Sequence, residues 1–187
     1  MRSIGSLSVG SRNFLSIHDR DSEVRAPELN PLFETAQSAW DKSCYRNIDW
    51  KIHGGQDVAN AVTRMATYSI GALAVVDVAE NVIGILSERD ILTKVTLQGL
   101  ATGSVKVEAI ATLAPNLITV SNEDAIDSCM TKLLDANIRH LLVQNSKDDE
   151  NIVGLMSMKD ILKCYRAKNL AVKSRLEGII QYQNLGV

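Results

Sequence analysis

The chain has 187 residues and a formal net charge of −2, and 45% of its residues are hydrophobic and 22% charged. This composition is typical of a folded domain or a compact pair of repeats. The charge argues against general nucleic-acid binding, and no apolar stretch reaches the roughly 20 residues of a membrane span, so we expect neither a nucleic-acid nor a membrane partner.

Residues 1–45 are predicted to be an N-terminal extension that the folded core does not need. Residues 1–18 contain Arg2, Arg12 and five serines but no acidic residue, a composition typical of a mitochondrial transit peptide. We therefore expect a mitochondrial location, and a cytoplasmic one if this segment is an ordinary unstructured terminus. A helix is predicted near residues 32–40.

Residues 46–97 form the first of two predicted repeats. A short strand around Trp50 and Ile52 comes first. The next segment is a predicted helix, because its apolar residues recur at i, i+3, i+4 and i+7, namely Val58, Ala61, Val62 and Met65. An apolar strand, a polar turn at 77–81 and a second apolar strand follow, and a second helix begins near Ile91.

The same series returns in residues 116–168, after a predicted linker at 98–115 that contains three turn-forming residues, Gly99, Gly103 and Pro115. The apolar helix positions recur 68 residues further on, as Ile126, Cys129, Met130 and Leu133. The offset grows to 70 residues beyond the polar turn, because the turn of the second repeat is longer.

We predict an α+β fold made of tandem β-α-β-β-α repeats. The first two strands of each repeat flank a helix and should pair in parallel, whereas the second and third are joined by a tight turn and should pair antiparallel. The repeats are expected to pack with pseudo-twofold symmetry, because one unit alone buries too small a core. Residues 169–187 are predicted to form a C-terminal amphipathic helix that packs on its own chain or on a dimer mate.

Each repeat carries the motif Ser-x-x-Asp, at 87–90 and 157–160, where its last strand meets its last helix. One interpretation is a capping box, in which the serine and the aspartate satisfy each other's backbone N–H groups. The other is ligand binding, because a helix N-terminus suits an anion and a carboxylate can accept hydrogen bonds from the paired hydroxyls of a ribose. The two interpretations are compatible, since a capped turn also fixes the aspartate.

The motif Gly-apolar-apolar-Ser-x-x-Asp, at 84–90 and 154–160, resembles that of the cystathionine-β-synthase (CBS) domain. Residues 70–73 and 138–141 resemble the second strand of that domain, and the likeness covers about residues 50–168. The chain is similar to stand-alone CBS-domain pairs, such as the small two-repeat CBS proteins of bacteria and plant mitochondria.

The resemblance implies that an adenosine-containing ligand (AMP, ADP, ATP, S-adenosylmethionine or NADH) binds in clefts between the repeats. The motif aspartates would hold the ribose hydroxyls beside the motif serines, apolar and backbone groups would frame the base, and basic residues would meet the phosphates. The candidates are Asp90, Asp160, Ser87 and Ser157 for the ribose, Ile70, Gly71, Ile138, Ile52, Thr119 and Val120 for the base, and Arg139, His140, Arg89 and Lys159 for the phosphates.

The two clefts are expected to differ, because Gly71 of the first repeat corresponds to Arg139 of the second. More positive charge should surround Arg139, and the two affinities should be unequal. The family often has a proline in its second strand, where this chain has Ala74 and Leu142. That departure removes no ligand-binding group.

We predict a non-catalytic regulatory homodimer whose ligand shifts the packing of the repeats and thereby acts on a partner protein. No nucleophile stands beside a base in a known pattern, and the three cysteines lack the spacing of a metal site, so nothing supports an enzyme. Two alternatives stay open. One is a structural or adaptor homodimer with vestigial sites, in which the aspartates only cap helices, and the other is a regulator of a thioredoxin-like redox protein.

Overall fold

The computed structural model describes residues 34–149 and 151–184. The predicted transit peptide, with Arg2 and Arg12, lies outside the described residues, as does the start of the helix predicted at 32–40. The rest of that predicted helix is present as α1 (Ala36–Asp41).

The first repeat contains the strands and helices that the sequence predicts, in the same order. A 3₁₀ turn (Cys44–Asn47) follows α1 and leads into the repeat. The elements of the repeat are β1 (Lys51–His53), α2 (Val58–Tyr68), β2 (Ala72–Val76), β3 (Val82–Ser87) and α3 (Glu88–Ile91), which continues as a π-helical turn (Leu92–Thr96).

The segment between the repeats forms α4 (Val107–Ile110) and β4 (Thr112–Leu113). The second repeat then has the same order of elements as the first, namely β5 (Thr119–Ser121), α5 (Ile126–Asp135), β6 (His140–Gln144), β7 (Ile152–Ser157) and α6 (Met158–Asn184). The helices α2 and α5 bury three of the four apolar positions that their periodicity predicts, whereas Val62 is 40% exposed and Met130 is partly buried. Each is followed by a residue with positive φ in an equivalent position, Ser69 at 52° and Asn137 at 51°.

The strands form two sheets with equivalent pairing, in the orders β1-β2-β3-β4 and β5-β6-β7. The pairs β1/β2 and β5/β6 are parallel and the pairs β2/β3 and β6/β7 are antiparallel, which confirms the predicted topology. The register is also equivalent, since Ile52 lies opposite Val75 and Val120 lies opposite Val143.

Each repeat is covered by the segment that precedes the other one. The strand β4, which leads into the second repeat, pairs with β3 of the first. The helix α1, which leads into the first repeat, places the ring of Trp40 on Gly154 of β7 in the second. Both contacts require glycine, because a Cβ atom would come within 2.5 Å of Leu113 at Gly84 and within 2.7 Å of Trp40 at Gly154.

This exchange corrects two of the predicted domain boundaries. The prediction that the core does not need residues 1–45 is wrong for residues 34–45, because Ala36, Ala39, Trp40 and Tyr45 are buried in it. The predicted linker at 98–115 is more than a connection, since it contributes β4 to the first sheet. The physical causes differ: β4 pairs with the edge strand β3 of the first sheet, whereas α1 buries Ala36 and Ala39 on the apolar core of the second repeat.

The predicted boundary at residue 169 is also absent. The motif helix of the second repeat continues without a break to the end of α6 at Asn184. Beyond Lys168 this helix projects from the core and exposes several large apolar residues, namely Leu170, Val172, Leu176, Ile179 and Ile180. Among the described residues, no helix is both long and apolar enough to cross a membrane.

Candidate functional site

The motif of the first repeat forms a capping box at the start of α3. Asp90 Oδ2 accepts hydrogen bonds from the backbone N of Ser87 at 3.0 Å and from Ser87 Oγ at 2.6 Å. In return, Ser87 Oγ accepts a hydrogen bond from the backbone N of Asp90 at 3.4 Å. On the other carboxylate oxygen, Oδ1, Lys94 Nζ lies 2.8 Å away. The capping interpretation is therefore confirmed for this motif.

The capped aspartate faces a cleft between the two repeats. The Asp90 cleft has a volume of about 180 Å³. The first repeat contributes Ile85, Ser87, Arg89 and Asp90, and the segment from β4 to β6 contributes Thr112, Asn116, Ile118, Ile138, Arg139 and His140. Because both repeats supply its walls, the cleft can respond to a change in their relative position.

Asp90 is ionised at neutral pH and remains accessible. Burial alone would raise the pKa of its carboxyl, but hydrogen bonds from Lys94 and Ser87 outweigh burial and lower the pKa below its usual value. The side chain keeps 17% of its surface exposed. It is therefore a charged hydrogen-bond acceptor at the wall of a cavity, which is the chemistry that a pair of ligand hydroxyls requires.

The basic residues of the cleft differ in charge state and anchoring. Arg89 Nη1 donates a hydrogen bond to the backbone oxygen of Asn137 at 2.9 Å and so reaches from one repeat to the other. Arg139 lines the same cleft on the side of the second repeat. Burial, together with the charge of Arg139, lowers the pKa of His140 to about 4. His140 is thus neutral near pH 7, which corrects its prediction as a cation for phosphates.

The apolar wall of the cleft is only partly the one that the sequence predicts. Ile138 lines the cleft as expected, and Ile85 and Ile118 join it. The predicted base-framing residues Ile52 and Val120 are instead 1% exposed in the core, and that prediction is wrong. The cleft lies at the amino ends of β5 and β6, so the residue just before β5 reaches it while residues within the strand do not.

Thr119 lies outside the cleft, whereas two residues that the sequence does not predict line it. Thr119 donates a hydrogen bond to Gln144 Oε1 at 2.9 Å, across β5 and β6, and does not line the cleft. The cleft residues Thr112 and Asn116 were not predicted. Thr112 reaches the cleft because β4 pairs with β3, and no periodicity in the sequence indicates that pairing.

The motif of the second repeat has the same local geometry but different surroundings. Asp160 Oδ2 accepts hydrogen bonds from Ser157 N at 3.0 Å and from Ser157 Oγ at 2.7 Å. It also accepts one from Ser43 Oγ at 3.0 Å, and Lys163 Nζ lies 3.2 Å from Oδ1. Burial opposes ionisation, but the hydrogen bonds from Ser157 and Ser43 lower the pKa of Asp160.

Asp160 does not reach a cavity. Its side chain is 1% exposed, and Tyr45 beside it is also 1% exposed. A groove of about 260 Å³ lies in front of them, lined by the predicted residues Ile70, Gly71, Arg139, His140, Ser157 and Lys159 and by Cys44, Tyr45, Ser69, Glu88 and Met158. The prediction that Asp160 contacts a ligand is therefore corrected, because in this arrangement Ser157 and Ser43 already donate hydrogen bonds to its carboxylate.

Comparison with known proteins agrees with this architecture. The CBS domain matches residues 50–96 and 107–167. The chain belongs to the CBS domain family. This confirms the resemblance inferred from the repeated motif.

Individual CBS proteins resemble the chain to different degrees. The mitochondrial CBS domain-containing protein CBSX3 of Arabidopsis thaliana is 34% identical over 126 residues, which is 66% of this chain. The match covers 60% of that relative, less than two thirds of its length.

Two solved structures of CBS proteins resemble the chain in fold. A CBS domain protein of Pyrobaculum aerophilum, solved with AMP, has a TM-score of 0.56 and 22% identity over 68% of this chain and 89% of its own. A CBS domain pair solved with 5′-methylthioadenosine and S-adenosyl-L-methionine has a TM-score of 0.59 and 22% identity, over 73% of this chain and 98% of its own. At these identities the likeness concerns the fold alone.

Proposed function

We propose that the chain is a non-catalytic regulatory module that binds an adenosine-containing ligand in the Asp90 cleft and acts on a partner protein. The observation that carries this proposal is the ionised carboxylate of Asp90, held in a capping box and 17% exposed at a cavity between the two repeats. A cap without a ligand needs no cavity beside it, whereas a ribose-binding carboxylate does.

The composition of the cleft suits the three parts of a nucleotide. Asp90 and Ser87 would hold the ribose hydroxyls, since a hydrogen bond to a charged acceptor contributes roughly 1.5–3 kcal/mol. The isoleucines of the cleft would pack on the base, and Arg89 and Arg139 would meet the phosphates. The volume of about 180 Å³ is below the roughly 300 Å³ of the smaller ligand pockets. We therefore expect the nucleoside to fill the cleft and the phosphates to lie at its mouth.

The ligand class is our inference from chemistry shared by two related folds. One was solved with AMP and the other with 5′-methylthioadenosine and S-adenosyl-L-methionine. These molecules have an adenosine portion in common and differ in their charged groups. Adenosine is therefore the part that we assign to the Asp90 cleft, and AMP, ADP, ATP, S-adenosylmethionine and NADH are the ligands to test.

Regulation would follow from the position of the cleft. A ligand that touches both repeats can shift their relative arrangement only if it binds one arrangement better than another. We propose that a partner protein responds to that shift and that the module acts as a homodimer. We also propose a mitochondrial location, supported by the composition of residues 1–18 and by the mitochondrial relative.

Thermal unfolding with AMP, ATP, S-adenosylmethionine and NADH tests the proposal. A ligand at about 100 times its Kd adds about 2.7 kcal/mol to the stability of the native state. For a chain of this length, that raises Tm by roughly 5–10 °C. Asp90→Ala should abolish the ligand-induced shift.

A matched control separates ligand binding from the loss of an aspartate that binds its own chain. Asp124 Oδ2 accepts a hydrogen bond from Ser121 N at 3.2 Å and pairs with Lys132 at 3.3 Å, and its side chain is 16% exposed. Like Asp90, it accepts a hydrogen bond from the backbone N of the serine three residues before it and pairs with a lysine, but it does not line the Asp90 cleft. Asp124→Ala should keep the full ligand-induced shift. No shift with any of the four ligands would contradict the proposal, and so would an equal loss of the shift in both variants.

A further inference from the structure

Side chains of the chain itself cover Asp160, whereas Asp90 lines an open cleft. The groove of about 260 Å³ lies in front of this cover, and Asp160 does not line it. The offset of 68 to 70 residues relates each wall of one cleft to a wall of the other. Ser87 and Asp90 correspond to Ser157 and Asp160, and Arg139 and His140 correspond to Gly71 and Ala72. The space between Asp160 and the start of β2 is therefore the counterpart of the Asp90 cleft, and we call it the Asp160 cleft.

Tyr45 and Ser43 lie in that space. Ser43 Oγ donates to Asp160 Oδ2 at 3.0 Å, so a hydroxyl already occupies the carboxylate. The phenol of Tyr45 lies against the backbone of Ala72 and Gly71, at the start of β2. The backbone N of Tyr45 also donates to Ser43 Oγ, which binds Asp160. This segment thus places a hydroxyl donor on the carboxylate and an aromatic ring at the start of β2, the same two chemical groups that a nucleoside would present.

The two side chains are held from outside the cleft as well. They belong to a segment whose first part, α1, packs on the second repeat through Trp40 and Gly154. Ser43 is 3% exposed and Tyr45 is 1% exposed. An arrangement that is buried and joined to the core differs from a mobile flap, so exchange with a ligand would require α1 to leave its place.

We propose that Ser43 and Tyr45 are an internal occupant of the Asp160 cleft, so that each chain binds one adenosine-containing ligand and binds it in the Asp90 cleft. This inference rests on the proposed function for the open cleft. The internal occupant also supports that cleft, because the ring of Tyr45 contacts His140 edge-on, with 6.2 Å between ring centroids, and His140 lines the Asp90 cleft. Asp160 is then a positioning residue for the internal occupant.

Isothermal titration of the full chain with AMP measures the number of sites. The wild-type chain should bind one AMP per chain, Asp90→Ala should bind none, and Asp160→Asn should still bind one. Asparagine keeps an acceptor for Ser157 and Ser43, so this variant preserves the fold. Two AMP per chain would overturn the inference and leave the proposed function standing. If the wild-type chain bound one AMP and Asp160→Asn bound none, the inference would also be overturned and the proposed function would still stand.

A gain of binding tests the internal occupant directly. In the Asp90→Ala background, Tyr45→Ala should open the Asp160 cleft and restore one AMP site, and Asp160→Asn should remove that site again. Tyr68→Ala in the same background is the matched control, because Tyr68 is 41% exposed at the end of α2 and should restore nothing. Failure of a folded Tyr45→Ala variant to bind AMP would overturn the inference. The stoichiometry decides if that variant does not fold.

Hydrogen exchange without nucleotide distinguishes failure of the proposed function from failure of the inference about the internal occupant. If the wild-type chain bound no nucleotide, the proposed function would fail, and exchange would then decide whether the cleft is occupied. The amides of Tyr45 and Ile48 donate to Ser43 Oγ and to the backbone oxygen of Tyr45. They should be protected about as strongly as β7. Exchange as fast as in an exposed loop would show that the segment leaves the cleft and would overturn the inference.

Discussion

The two motif aspartates should differ in what their removal does to stability. Asp160→Ala leaves the Ser43 hydroxyl and the Ser157 backbone amide without an acceptor in a buried site. Asp90→Ala leaves a corresponding gap beside an open cleft, where water can replace the carboxylate. We therefore expect Asp160 to act mainly on folding and Asp90 mainly on ligand binding.

The expected magnitudes follow from the donors that lose their acceptor. An unsatisfied buried donor costs about 1–3 kcal/mol, and two such donors give about 2–6 kcal/mol for Asp160→Ala. For Asp90→Ala the loss is that of a helix cap, about 1 kcal/mol. At roughly 2–4 °C per kcal/mol for a chain of this length, Tm should fall by roughly 4–24 °C in the first variant and by roughly 2–4 °C in the second.

Urea unfolding followed by circular dichroism measures both values, with Asp124→Ala as the control for a half-buried aspartate outside the Asp90 cleft. The slope of the free energy with urea should stay the same in all three variants, because the surface exposed on unfolding does not change. Equal losses for Asp90→Ala and Asp160→Ala would refute the reasoning. That result would mean that the burial of Asp160 by Ser43 and Tyr45 does not persist in solution.

Two further predictions concern the packing of α1 and the charge of His140. Trp40→Ala should lower the free energy of unfolding in urea by about 3–5 kcal/mol, because Trp40 is 8% exposed. Leu97→Ala is the control, since Leu97 is 80% exposed. A loss below about 1 kcal/mol for Trp40→Ala would show that α1 does not belong to the core. Burial, with the charge of Arg139, lowers the pKa of His140 from 6.5 to about 4. Between these two pH values, His140 is protonated in the unfolded chain and neutral in the folded chain. The stability present above pH 6.5 should therefore be lost progressively as the pH falls to about 4, by up to about 1.4 kcal/mol per pH unit. His140→Gln should reduce this dependence while His53→Gln keeps it, and the same pH profile in both variants would contradict the assigned cause.

The fold within each repeat could be predicted because its determinants are local. The apolar stripe from Val58 to Met65 depends only on helical periodicity, and α2 buries Val58, Ala61 and Met65 of it. The capping box at 87–90 depends on residues three positions apart. It forms in the first repeat, and the bond from the serine backbone N to the aspartate forms in both. Repetition of the pattern then identified the second unit without any information about contacts between the two.

The internal occupant could not be predicted, because it depends on contacts between distant parts of the chain. Ser43 and Asp160 are 117 residues apart, and nothing in the periodicity of either segment indicates that they meet. The helix α6 was divided wrongly for a simpler reason. Residues 158–184 contain no proline, and Gly178 alone does not end a helix. The boundary predicted at residue 169 is therefore the point where α6 stops being buried, and the helix itself continues.

The sequence by itself determined the two repeats, their strand and helix order, the family and the two capped aspartates, since each of these follows from spacing along the chain. Only the tertiary structure decided which aspartate faces a cavity. The reason is that identical motifs acquire different surroundings: β4 leaves room beside Asp90, whereas the segment after α1 fills the equivalent space beside Asp160 with Ser43 and Tyr45.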